Sequence, residues 1–442
     1  MIRTHLVSRL VGVALVAATI APPALHAQRR TQTATLAPLP QATPESVGFA
    51  PGALDKMDAA MQGLIDNKHL AGIVTLVARK GKVVQHKAYG MQDAEQQVPM
   101  RTDTIARIYS MTKPITGVAM MMLYDEGKWH PSDPIAKHIP AFAGLKVYAG
   151  EKDGMPILEP SAHPPTMGEL MSHTAGFTYG AFGNTPVDKL YRAANPLSSP
   201  SLPAFIDAMA KLPLAYQPGT RWMYSVGVDI QGYLVEKLSG QTFPEFLRTR
   251  LFEPLGMIDT GFFVPAEKMP RVAITYRWNP ASAALAPLPH DPGINQMPGM
   301  PSGGGGLYGT AADYFRFAQM LLDGGESNGG RILKKTSVDL MRRNHLSEQV
   351  LNSKSGIGPA LFSPAQGFGY DFAVVLDPDG AKRQVGKDSY WWWGLAGTWF
   401  WIDPTNDLLF VGIIQRMGGV PGAPNHEELA RRVIADALPP AK

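Results

Sequence analysis

The sequence predicts an α/β chain of the α+β type: an antiparallel sheet flanked by helices and built from both chain ends, with a large, mainly helical domain inserted between them. Three observations predict it. Strand-like runs gather near the two ends, helical periodicity fills the middle, and an amphipathic helix borders each sheet-forming block.

Leu54, Met57, Met61, Leu64 and Ile65 recur at helical spacing. The apolar run 72–78, a turn at Arg79-Lys80-Gly81-Lys82 and the run 83–89 then form a hairpin. Near the other end, 372–376, 397–402 and 408–414 read as strands, and Asp403-Pro404-Thr405-Asn406-Asp407 turns the last two. Leu429, Val433, Ile434 and Ala437 mark a closing amphipathic helix. Between about 110 and 350 the pattern is helical, with long Pro/Gly loops and few strand runs. The expected domains are therefore a sheet domain over 45–108 and 340–438 and a mainly helical domain over 109–339. No solenoid-type repeat is present.

Composition removes whole classes of function. Of 442 residues, 45% are hydrophobic and 18% charged, which is globular. The 45 Gly and 39 Pro follow no period, so collagen is excluded. Cysteine is absent, which excludes disulfide scaffolds, thiolate zinc sites and cysteine nucleophiles. The 11 histidines form no HExxH or HxH pattern, so no metal and no cofactor are expected. The formal charge is +4; without Arg3 and Arg9 the balance is 39 basic against 37 acidic residues. Such a balance gives no electrostatic reason for a nucleic-acid partner.

Residues 1–27 read as a secretory signal. Arg3 and Arg9 precede the apolar core 10–18, which is too short to span a bilayer, and Ala24-Leu25-His26-Ala27 offers a cleavage site. An uncleaved anchor is the alternative. Residues 28–44, rich in Thr, Gln, Pro and Ala, read as a flexible leader. The mature chain is expected in the periplasm or outside the cell, with no stable membrane span.

Ser110-Met111-Thr112-Lys113 stands at a helix start, with Pro114 in the first turn. From Ile115 to Leu123 the helix is almost all apolar, hence buried, and Asp125, Glu126 and Gly127 end it. A three-residue step puts Ser110 and Lys113 on one face. A serine hydroxyl is a poor nucleophile until a neighbour takes its proton, and a buried amine is a candidate for that task. Taken alone, an N-terminal serine is equally a helix cap.

The wider stretch Arg107-Ile108-Tyr109-Ser110-Met111-Thr112-Lys113-Pro114-Ile115-Thr116 resembles the serine β-lactamase/penicillin-binding-protein superfamily, and within it the class C-like esterase branch, the family VIII carboxylesterases. Further segments agree in order. Leu170-Met171-Ser172-His173-Thr174-Ala175-Gly176 is similar to the LLSHTSG-type segment, and Pro218-Gly219-Thr220-Arg221-Trp222-Met223-Tyr224-Ser225 to the block carrying the catalytic tyrosine. Phe252-Glu253-Pro254-Leu255-Gly256-Met257 and Ser302-Gly303-Gly304-Gly305-Gly306-Leu307 also match, so the similarity spans about 50–415.

The resemblance implies that Ser110 is the nucleophile, that Lys113 helps deprotonate it, and that Tyr224 exchanges protons with Ser110, leaving group and water. It implies an oxyanion hole from the backbone N–H groups of Ser110 and Leu395, and substrate contacts from Tyr109, Trp392, Trp393 and Gly394. For Tyr224 the alternative is a core aromatic after a turn. Two departures matter. Val226 stands where the lactamase YxN motif has Asn and cannot make its amide hydrogen bonds. Trp392-Trp393-Gly394 stands where lactamases have KTG, in a register uncertain by one residue, so the Lys that would pair with a substrate carboxylate is missing. A neutral ester fits a Trp-lined site better. Five of the eight Trp lie at 391, 392, 393, 399 and 401. Trp399 and Trp401 read as strand packing, whereas 391–393 read equally as packing or as a substrate wall.

The implied activity is a secreted serine hydrolase acting on a small-molecule ester, with transesterification where an alcohol replaces water. The alternatives are a class C-like β-lactamase or D-alanyl-D-alanine carboxypeptidase, and a non-catalytic penicillin-binding-like module. His173 reads as a structural hydrogen-bonding residue. Gly325-Glu326-Ser327-Asn328-Gly329 matches GxSxG but follows a helical pattern rather than a strand, so it reads as a loop. Gly304 to Gly309 matches GxGxxG without a βαβ context.

Overall fold

Apolar runs at the two ends of the chain become neighbouring strands. In the computed structural model, β1 (Gly72–Arg79), β2 (Lys82–Asp93) and β3 (Val98–Pro99) come from one end; β4 (Gln366–Phe368), β5 (Ala373–Val375), β6 (Tyr390–Trp393), β7 (Trp399–Asp403) and β8 (Leu408–Ile414) come from the other. They form one sheet in the order β4-β5-β6-β7-β8-β1-β2-β3. The two blocks meet where β1 pairs antiparallel with β8, from Ile73 opposite Ile414 to Arg79 opposite Leu408. Residues 38–352, 364–382 and 384–438 are described, with Met1. The predicted signal and most of the leader lie outside the described residues.

Strand β8 is buried at every residue and β1 at all but the last, so both faces of the sheet centre are covered. Helices α1 (Asp55–Asp66), α4 (Ala311–Leu322) and α5 (His426–Ala437) do most of this, whereas α2 (Thr112–Asp125) and α3 (Gly227–Ser239) belong to the insert. Trp399 and Phe400 are consecutive on β7 and must point to opposite faces. The Trp399 ring meets His426 of α5, and the Phe400 ring meets Tyr314 of α4, so these helices lie on opposite faces. Helices α2 and α3 pack together in the inserted region, and one apolar core runs through both regions.

The insert also holds hairpins that the helical pattern did not reveal, such as Lys146–Lys152 with Met155–Pro160 and Tyr276–Asn279 with Ala284–Pro287. Their strands are mostly exposed on both faces, so they carry no clear apolar alternation to read.

His426 supplies a pH-dependent stability. Its ring is 8% exposed, and its Nε2 lies 3.2 Å from the Gly397 carbonyl. Burial first, then the charges of Arg416 and Arg431, hold its pKa down to about 4. The unfolded chain therefore binds a proton near pH 6.5 that the folded chain refuses, and stability falls as pH drops between these values. The loss from this group is about 3 kcal/mol between pH 7 and pH 4. Urea unfolding of His426→Gln is expected to show a shallower acid loss than wild type; equal slopes would refute this assignment.

Candidate active site

Backbone geometry delivers Ser110. Tyr109 has φ +45°, in the left-handed region disfavoured for side chains other than glycine. This turns the chain from the short strand Ala106–Arg107 into the 3₁₀ turn Tyr109–Met111 and on into α2. Ser110 is half-buried at that corner, and Lys113 is 1% exposed one turn further on. The Lys113 Nζ lies 3.2 Å from Ser110 Oγ and donates to the Gly304 carbonyl at 2.7 Å. The predicted pair is therefore in contact.

Tyr224 arrives from the turn before α3. The Met223 N–H donates to the His173 carbonyl at 2.9 Å, fixing that turn. Lys113 Nζ sits 4.4 Å from the Tyr224 ring centroid and 5.4 Å from that of Tyr179. The Tyr224 hydroxyl accepts the Trp392 indole N–H at 3.4 Å. Lys113 thus meets the face of Tyr224, and among the described residues its hydroxyl bonds to neither Lys113 nor Ser110.

His173 supports Tyr224. Its Nδ1 lies 3.2 Å from Ser225 Oγ, and its ring lies 5.2 Å from that of Tyr224. Burial, then the Lys113 charge, push its pKa well below the usual histidine value. It is held neutral and cannot serve as a readily charged base.

The end of β6 closes the site from another side. The Gly394 N–H donates to the Thr398 carbonyl at 2.7 Å and the Gly397 N–H to the Gly394 carbonyl at 2.9 Å, a tight turn with Leu395 at its tip. Thr398 Oγ1 donates to the Ile108 carbonyl at 3.2 Å, tying this turn to the corner that bears Ser110. The Leu395 side chain is exposed. Among the described residues neither the Ser110 nor the Leu395 backbone N–H has an intramolecular acceptor, leaving two donors unspent. A Cβ at 394 would overlap the Ile108 carbonyl oxygen and Thr398 Oγ1, both held by this turn. Gly394→Ala is expected to cost about 1–3 kcal/mol, read by urea unfolding. An unchanged midpoint would show that the strand end can move away.

Trp392 is buried against Tyr224, with ring centroids 5.6 Å apart, while Trp393 is half-exposed and stacks on Trp391. Trp399 and Trp401 stack on Phe410 inside the sheet, as strand packing requires. Tyr109 lies under the Arg107 guanidinium, 4.6 Å from its ring centroid. The 325–329 segment is a short turn between Glu326–Ser327 and Gly330–Arg331, not a strand-to-helix elbow.

Sequence reading missed three contributors. Tyr179 packs edge-on to Tyr224, and the half-exposed Phe182 lies 5.9 Å from the same ring. Asp229 accepts from the Gly304 N–H at 3.0 Å. Asp229 had a readable signal: a lone acid between Val228 and Ile230 on a buried helix must find a partner. The two aromatics had none, since an isolated aromatic looks the same in a core and in a cleft. Among the described residues no group of three or more His, Cys, Asp or Glu could hold a metal ion, and no helix is long and apolar enough to cross a membrane.

A half-buried hydroxyl against a buried amine, beside a phenol and two free N–H groups, is suited to acyl transfer. Comparison with known proteins places the chain in a family. The profile of the Beta-lactamase family matches residues 57–435. Lovastatin esterase of Penicillium rubens is 30% identical over 382 residues, covering 83% of this chain and 94% of its own. Esterase EstB of Burkholderia gladioli is 30% identical over 365 residues, covering 78% and 86%. The solved structure of EstCE1, a hydrolase with promiscuous acyltransferase activity, shares the fold with a TM-score of 0.73 at 24% identity, over 87% of this chain and 98% of its own. The chain belongs to the Beta-lactamase family and is a serine hydrolase of the β-lactamase/transpeptidase-like superfamily.

Proposed function

We propose that this hydrolase cleaves small or medium carboxylic esters through an acyl-serine intermediate, using Ser110, Lys113 and Tyr224, and that it works in the periplasm or outside the cell. The observation that carries the mechanism is the Ser110 Oγ to Lys113 Nζ approach of 3.2 Å with Tyr224 against the same amine. Ser110 Oγ attacks the ester carbonyl carbon as its proton passes to Lys113. The negative oxygen accepts hydrogen bonds from the Ser110 and Leu395 N–H groups. Collapse breaks the C–O bond, and the leaving alkoxide takes a proton through Tyr224, whose hydroxyl turns from Trp392 toward the reacting atoms once substrate is bound. Tyr224, left as a phenolate by that transfer, takes the proton of the water that attacks the acyl carbon, and Lys113 returns its proton to Ser110 as the acid leaves. An alcohol in place of that water gives transesterification.

Esters are favoured over β-lactams because Trp392 and Val226 replace the Lys and Asn with which lactamases hold their substrates. The esterase names of two relatives at 30% identity support the same choice. The signal-like residues 1–27 support the location. The test compares p-nitrophenyl butyrate with a chromogenic cephalosporin and follows the mass of the acylated Ser110 peptide. Faster turnover of the cephalosporin would reassign the substrate; no acyl adduct from any ester or β-lactam would favour a non-catalytic module.

A further inference from the structure

Resting on that reading of Ser110 and Lys113, we propose that Asp229 is a positioning residue: it holds the Gly304 peptide so that its carbonyl grips Lys113, and it sets an acidic group one peptide away from that amine.

Asp229 sits in the first turn of α3 between Val228 and Ile230, and all three are 0–1% exposed. A buried carboxylate without partners costs several kcal/mol, so its contacts have to account for its presence. Its Oδ1 accepts from Ser302 Oγ at 2.5 Å and from the Gly304 N–H at 3.0 Å. The Gly304 carbonyl in turn accepts from Lys113 Nζ at 2.7 Å, and that nitrogen lies 3.2 Å from Ser110 Oγ. Carboxylate, peptide, amine and hydroxyl thus form one chain. A carboxylate on the N–H side of a peptide polarises it and strengthens the carbonyl as an acceptor.

The second oxygen has no such support. Asp229 Oδ2 is buried with no partner among the described residues. A Cβ built on Gly304 would lie 2.7 Å from this oxygen and 2.9 Å from the Tyr179 hydroxyl, so both face the same narrow space beside the peptide. Burial pushes the Asp229 carboxyl up, and the Lys113 charge pulls it back down, so the two groups interact. The α3 N-terminus also favours a negative charge here.

The groups around Lys113 are Ser110 on its own element, Tyr179 and His173 from the 172–180 segment, Tyr224 from the turn before α3, Asp229 on α3, and Asp371 between β4 and β5. Asp371 is the rival counter-charge. Burial drives its carboxyl well up, and its Oδ1 accepts from Gln231 at 3.0 Å. It has no hydrogen bond into the Gly304–Lys113 chain. His173 is held neutral, which leaves Asp229 as the acidic group joined by hydrogen bonds to this amine.

The test uses the full chain. Asp229→Asn keeps an acceptor for Ser302 and Gly304 and removes only the charge. With p-nitrophenyl butyrate, its KM is expected to stay within about twofold while kcat falls about 10-fold, because a less basic amine takes the Ser110 proton less well. The acid limb of the kcat/KM profile is expected to move down by about 1 pH unit, because the amine sheds its own proton sooner. Ser302→Ala, which weakens the ionised carboxylate, is expected to move the limb the same way by less, and it decides the matter if Asp229→Asn does not fold. An unmoved limb in both variants, or lost rate that only tracks lost thermal stability, would overturn the proposal. Labelling of Ser110 by a fluorophosphonate separates the two levels: wild type that labels while the limb stays fixed defeats this inference alone, whereas wild type that does not label defeats the hydrolytic mechanism and this inference with it.

Discussion

Replacing Ser110 by Ala is expected to lower kcat/KM for p-nitrophenyl butyrate by about 10⁴-fold or more while leaving the fold intact. The substitution removes one hydroxyl from a half-buried corner. Lys113 keeps its bond to the Gly304 carbonyl, so no buried charge is stranded. What disappears is the atom that becomes acylated. The remaining donors and amine could still polarise an ester, but with no covalent intermediate the reaction falls back on direct attack by water. Rates, a thermal melt and the mass of the Ser110 peptide after brief exposure to substrate check this together. A variant retaining a tenth of the activity would mean that another group is the nucleophile.

Lys113→Met comes second, with an expected loss of about 10³- to 10⁴-fold in kcat/KM. Methionine is of similar length and apolar, and it fits among the Tyr224 and Tyr179 rings that face the amine. It leaves the Gly304 carbonyl short of a donor, a cost of about 1–3 kcal/mol. Removing the ammonium also takes away the positive charge that faces the buried Asp229 carboxyl, a further cost. The expectation is therefore a large kinetic loss with a lowered urea midpoint. A fluorophosphonate should label the variant's Ser110 far more slowly than wild type; equal labelling rates would show that the amine does not activate the hydroxyl.

The parts of the fold read correctly from sequence share one property. Stretches 408–414 and 72–78 are nearly continuous apolar runs because both of their faces are covered, and a run of that kind announces itself without knowledge of its neighbours. The hairpins at 146–160 and 276–287 lie mostly in solvent, where little selects for a pattern. The Trp cluster divides on the same ground. Trp399 and Trp401 lie on a buried strand and stack on Phe410, so packing was a sound expectation. Trp392 looks identical in sequence, yet its indole N–H meets the Tyr224 hydroxyl.

Local chemistry was written in the chain: the one-turn step from Ser110 to Lys113 sets their approach whatever surrounds them, because helix geometry depends only on the backbone between them. The convergence on that pair was not. Tyr179, the Tyr224–Asp229 stretch, Gly304 and Trp392 are separated from one another by tens to hundreds of residues, and no periodicity relates them. Their distances follow from how α2, α3 and the end of β6 pack around a shared core, a property of the whole folded chain that no single segment carries.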